Sequence, residues 1–115
     1  MTSPTITNPP AGLSDRPLED WTSELLEPLM GDRFAVMADG HETGYLDLLS
    51  VSSSREPAIP GGRIPFSLIF RSAGKDTYFP QGCHSLHHPA LGHAVLFLVP
   101  IGLDDAGMLH EAVFS

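Results

Sequence analysis

Polar and apolar positions change rhythm along the chain. Residues 1–17 hold Pro4, Pro9, Pro10 and Pro17 among Ser, Thr and Asn, with Ile6 and Leu13 as their sizeable apolar groups. Such a stretch is expected to be extended and solvated, an arm set apart from the rest. From Leu18 to Met30 the apolar residues Leu18, Trp21, Leu25, Leu26 and Leu29 fall at helical spacing, which predicts one amphipathic helix over 18–30 with Asp20 as N-cap. Pro28 has no N–H for a helix interior, so the regular part is expected to stop near Glu27, with a turn from Pro28 to Gly31. The apolar stripe is expected to cover an open end or face of a sheet.

Beyond Gly31 the period becomes alternating. Phe34 and Val36 share one face of a strand over 33–37, and Ala38-Asp39-Gly40-His41 supplies an Asp-Gly turn of the kind that favours tight hairpins. The return strand, about 44–52, is predicted to bulge near Leu48 and Leu49, where strict alternation breaks. Residues 52–62 read as a surface loop. Ile64 to Arg71 is the clearest strand, with Ile64, Phe66, Leu68 and Phe70 inward and Pro65 at an edge or rim. A turn over 72–76 leads to a strand from Thr77 to His88, interrupted by Pro80 and Gly82, and then to a tight turn at 89–92. Ala94 to Ile101 is apolar on both faces, as a central strand would be. After a loop at 102–107, Met108 to Phe114 is the last strand.

About six strands with short connections predict a mainly β fold, an antiparallel meander closed into a small β-barrel or stacked as a sandwich. A doubly wound α/β fold is excluded, because the intervals between strands are too short for helices. Phe34, Phe66, Phe70, Phe97 and Phe114 are the expected core.

Length and composition narrow the class. A chain of 115 residues is expected to be one domain over 18–115 carrying the arm 1–17. Gly 11 and Pro 11 mark a turn-rich chain, and 42% hydrophobic residues suit a folded core. Fourteen acidic residues against 6 basic ones give a charge of −8, with Lys75 the single lysine, which argues against a nucleic-acid partner. Cys83 alone forms no intrachain disulfide. The first residues show no basic region followed by an apolar one, and no run approaches the ~20 apolar residues of a membrane span. The cytoplasm is therefore the expected location, with export as part of an assembly left open.

The segments Pro28-Leu29-Met30-Gly31-Asp32-Arg33-Phe34, Phe66-Ser67-Leu68-Ile69-Phe70, Gln81-Gly82, His88-Pro89-Ala90-Leu91-Gly92 and Leu96 to Gly102, with the ending Glu111-Ala112-Val113-Phe114, carry a resemblance. Together they resemble a family of short bacterial proteins with an uncharacterised all-β domain, small companions of phage-tail-collar-like proteins. The resemblance spans residues 28–115 and implies fold and genomic company. It attaches no catalytic residues, and Cys83 and His110 stand where the family pattern has tyrosine.

Six histidines, His41, His84, His87, His88, His93 and His110, make metal binding the sharpest chemical hypothesis, with Cys83 beside three of them. Strand alternation puts Cys83, Ser85 and His87 on one face and His84, Leu86 and His88 on the other, so two ligands at most converge and His93 or His110 would have to supply a third. No metal and no cofactor are therefore expected, with His88 instead fixing the turn before Pro89. A metal- or small-ligand-binding barrel using residues 84–88 is the alternative. Cys83 as nucleophile lacks a base on its own strand face. Asp104-Asp105-Ala106-Gly107 lacks the spacing of a calcium loop and reads as a polar turn, and Gly61-Gly62-Arg63 lacks the lysine of a phosphate loop. Catalytic residues are not expected.

What remains is surface. Ile69, Val99 or Leu98, the doubly apolar strand and a C-terminal strand with a free pairing edge all offer contact area. With the arm, they predict a non-enzymatic structural or interaction protein, a subunit or accessory of a tail-like or filamentous assembly. Its contacts are expected at Pro4, Ile6, Pro9, Pro10 and Leu13, and its partner is expected to be itself or a tail-collar-like protein.

Overall fold

A computed structural model describes residues 18–54, 56, 60–62, 64–72 and 79–114. Where apolar and polar residues alternate, the chain is extended, and the described residues hold six strands: β1 (Arg33–Ala38), β2 (His41–Ser53), β3 (Phe66–Ser72), β4 (Gly82–His88), β5 (Gly92–Leu103) and β6 (Met108–Phe114). Every pairing is antiparallel, and the order β1-β2-β3-β6-β5-β4 closes on itself, with Val36 of β1 opposite Leu86 of β4. Of the two predicted architectures, the barrel is the one formed. It is not a simple meander. β3 and β4 stand on opposite walls, so the chain passes from one wall to the other at the end where β3 stops and β4 starts.

Local chemistry explains the strand ends. Asp39 (φ 52°) and Gly40 (φ 79°) both sit left-handed between Ala38 and His41, the two-residue turn whose twist matches that of the strands it joins. The register of β2 on β3 jumps from Leu48 opposite Phe70 to Ser50 opposite Ile69, so Leu49 is the extra residue of the predicted bulge. Similar jumps leave Thr43 and Ile101 unpaired. In β3, Phe66, Leu68, Phe70 and Ser72 point inward, as alternation requires.

One end of the barrel is stoppered by the segment before β1. Trp21 stacks on Phe114 at 5.8 Å between ring centroids, and Phe114 stacks on Phe66 at 4.5 Å. Leu26 is fully buried beside them. The short N-terminal helix expected over 18–30 is present as one α-helical turn (α1, Ser23–Leu26) between a 3-10 turn (Leu18–Asp20) and a second 3-10 turn (Glu27–Leu29), so its regular part is shorter than the spacing suggested. The reason lies in the cap. Thr22, not Asp20, accepts the Leu25 N–H on its side-chain oxygen at 3.1 Å, which starts α1 later, and Pro28 sits in the 3-10 turn that ends the helical run. The opposite mouth is occupied by Phe79, whose ring lies 5.7 Å from that of His84 on β4 and 5.9 Å from that of His110 on β6. A Cβ on Gly44 of β2 would meet the same ring at 2.9 Å, so only glycine lets it seat there undisturbed.

Four of the five expected core phenylalanines, Phe34, Phe66, Phe70 and Phe114, are buried. Phe97 is not. It is 52% exposed, because parity on β5 sends Leu96 and Leu98 inward and Phe97 out. Leu98, weighed as a surface residue, is accordingly buried, and the strand expected to be covered on both faces is bare outside. Ile64 is exposed and precedes β3, which begins at Phe66. β4 begins at Gly82, after the irregular residues 79–81, and the expected turn at 72–76 and strand start at Thr77 fall largely outside the described residues. The C-terminal strand is not an edge strand: β6 pairs with β3 from Leu109 to Phe114 and with β5 from Met108 to Glu111, so a pairing edge is left only on the β5 side of residues 112–114. Among the described residues no helix is long and apolar enough to cross a membrane.

Candidate interaction surface

The outward positions of β5 and β6 gather what the barrel leaves uncovered. Val95, Phe97, Ile101 and Leu103 on β5 and Val113 on β6 are between 48% and 68% exposed. Antiparallel pairing sends Val95, Phe97, Ile101 and Val113 out by alternation, and beyond the bulge at Ile101 the register sets Leu103 opposite Met108, where it is exposed at the end of β5. The β1–β2 wall differs: there Arg33 donates to Asp47 at 3.0 Å and lies 5.0 Å over the ring of Tyr45, whose hydroxyl donates to Glu42 at 2.7 Å. That wall's outward groups partner one another; large apolar groups dominate the β5–β6 face.

At the helix end this face deepens into a groove of about 350 Å³ between Leu18 and Glu19, residues 95–97 of β5 and residues 112–114 of β6. Val113 forms the ridge between it and a second depression of about 390 Å³ bordered by Ser52, Ser53, Ser54, Ser67 and Glu111. Glu19 and Glu111 are the charged groups lining the two, and neither is lined by Lys or Arg among the described residues. The turn from β5 to β6 is held rigid: Asp104 accepts the N–H groups of Ala106 and Gly107 at 2.9 Å on one carboxylate oxygen, and Arg71 donates to the other at 2.6 and 3.0 Å. The Arg71 guanidinium and these backbone donors hold the Asp104 carboxyl below its ordinary range. This is the polar turn predicted for residues 104–107.

The histidine cluster disperses as strand alternation requires. Cys83 lies on the outer face opposite Phe97, and His87 lies there beside His93, with ring centroids 4.6 Å apart. His84 and His88 belong to the inward set. The Pro80 carbonyl accepts at 2.7 Å, so His84 carries a proton on Nε2. The Ala90 N–H donates to His88 Nδ1 at 3.0 Å, so the His88 proton sits on Nε2 and is given to Asp32 at 2.9 Å. His88 thereby clips the 89–91 turn and the start of β1 together, a turn that follows His88 rather than the one before Pro89 that the sequence suggested. Among the described residues no group of three His, Cys, Asp or Glu side chains converges as a metal would need.

His110 was missed. It is fully buried and neither ring nitrogen has a hydrogen-bond partner. Its inward parity with Ala112 and Phe114 was readable in the sequence. Its neighbours Phe79 and His84 were not, since other parts of the chain bring them. The expected contact residues Pro4, Ile6, Pro9, Pro10 and Leu13 lie outside the described residues.

No curated protein and no solved structure matches this chain. A family defined by a domain of unknown function, DUF6916, matches residues 21–114, from the tryptophan that stoppers the barrel to the last core phenylalanine. The chain belongs to the DUF6916 family.

Proposed function

We propose that the chain is a non-enzymatic interaction protein, a building block that docks onto neighbouring copies of itself through the outer face of β5 and β6. The observation that carries this reading is the row Val95, Phe97, Ile101, Leu103 and Val113, large apolar side chains left bare on two adjacent strands. A contiguous apolar face of this kind lowers its free energy when a partner covers it. In the assembly the arm residues Pro4, Ile6, Pro9, Pro10 and Leu13 strap onto the next copy. A contact between such unlike surfaces closes into a ring or runs on as a filament. The resemblance of residues 28–115 to companions of phage-tail-collar-like proteins supports a tail-like setting, with a collar-like protein as the other partner to test.

Sedimentation velocity over a concentration series tests the reading. The parent is expected to associate as its concentration rises, and Phe97→Asp with Val113→Asp is expected to stay monomeric while keeping the parent circular dichroism spectrum. A parent that is monomeric throughout, alone and with a collar-like protein, overturns the proposal, as does association that the double variant leaves unchanged.

A further inference from the structure

The groove on the β5–β6 face begins where the arm ends. Leu18, the first described residue, is part of its lining, so the 17 residues before it start at the groove's rim. From Gly92 at the same end, β5 runs for 12 residues, about 40 Å at the usual rise. Seventeen extended residues reach roughly 55 Å, enough to follow the whole face.

Charge favours the same occupant. Within residues 1–17 Asp15 and Arg16 cancel, so the formal −8 resides in residues 18–115. A second copy brings that negative charge up to Glu19 and Glu111, whereas the arm brings a neutral segment. Tethering adds to this, because a segment joined at the rim is present at an effective concentration on the order of millimolar.

We propose that in the isolated chain residues 1–17 lie along the outer face of their own β5 and β6, covering the groove at Val95, Phe97 and Val113 until a neighbour displaces them. This rests on the reading of that face as the docking surface and adds its control: the free subunit is shielded by its own arm, and assembly exchanges the arm from the chain's own face to that of the next copy.

Photo-crosslinking in the full chain decides the matter. With a benzoylphenylalanine at position 13 and the protein dilute, irradiation is expected to link position 13 to residues 95–103 or 109–113 of the same chain, in a product of monomer mass. Links found only between chains, links mapping elsewhere, or no link overturn the proposal. Cys83, opposite Phe97 on the same face, supplies a second readout. Ile6→Asp with Leu13→Asp is expected to speed thiol labelling of Cys83 severalfold, and an unchanged rate also overturns it. If labelling speeds up while sedimentation shows no association in parent or variant, the arm covers the face but the docking reading fails. If association persists and labelling is unaltered, the docking reading stands and the shield does not.

Discussion

His110 has two nitrogens inside the barrel and nothing to bond them to. Burial, with a smaller contribution from nearby His84, pushes its pKa below the ordinary 6.5, so the folded protein holds it neutral where the unfolded chain takes up a proton. The sign follows. Stability is highest above pH 6.5 and falls as the pH drops through that value, until the folded-state imidazole itself titrates. Leucine in its place removes two unsatisfied polar atoms. His110→Leu is expected to stabilise the protein by about 1 kcal/mol at pH 7.5 and to flatten the loss between pH 7.5 and 5.5, measured by urea unfolding at both. A variant that is less stable and keeps the parent slope would show that the ring finds a polar partner in solution. His88 is the opposite case, since both its nitrogens are engaged and the turn depends on them.

At the scale of the element, Asp104 shows how one side chain holds a turn. Asp104→Ala is expected to leave the amides of Ala106 and Gly107 faster to exchange with solvent and to lower the thermal midpoint, read by hydrogen exchange and a melting curve. Because its pKa is depressed in the folded state, this contribution is full above the ordinary carboxyl value of 3.8 and is lost as the pH falls through the folded-state value. Unchanged amide exchange would show that the backbone alone keeps the turn. Elements fixed by their own residues were legible in the sequence: the Asp39-Gly40 hairpin, the bulge at Leu49, the alternation of β3 and the bounds of β6. Elements fixed by distant partners were not. Strand β5 is apolar on both sides and reads as fully buried, yet the barrel wall is one layer thick and leaves its outer side chains bare. That β6 is not an edge strand was hidden for a similar reason, since its partner β3 is distant in the chain and no local window contains both.

For the whole molecule, closure settles which surfaces remain to make contacts. Every strand has a neighbour on both sides, and the β5–β6 ladder covers Val99–Leu103 and Met108–Glu111 only, so side-chain faces offer most of the contact area and the short unpaired stretch of β6 beyond Glu111 the rest. The apolar face sits on a chain of net charge −8, so approaching copies repel one another over distances that salt shortens. Self-association is therefore expected to strengthen between 50 and 500 mM NaCl, by sedimentation, with the opposite trend marking a contact built on ion pairs instead. Of the candidate surface, the sequence made apolar excess on β5 visible but not its direction, which depends on the parity that places Leu96 and Leu98 inside. The stack of Trp21 on Phe114 has a consequence of another kind. The first and last aromatic rings of the family domain touch, so both of its connections leave from the same end of the barrel. Such a unit is suited to plugging into a larger polypeptide: a host loop need bridge only a short gap to accept it, and the barrel can ride as an insert without pulling its carrier apart.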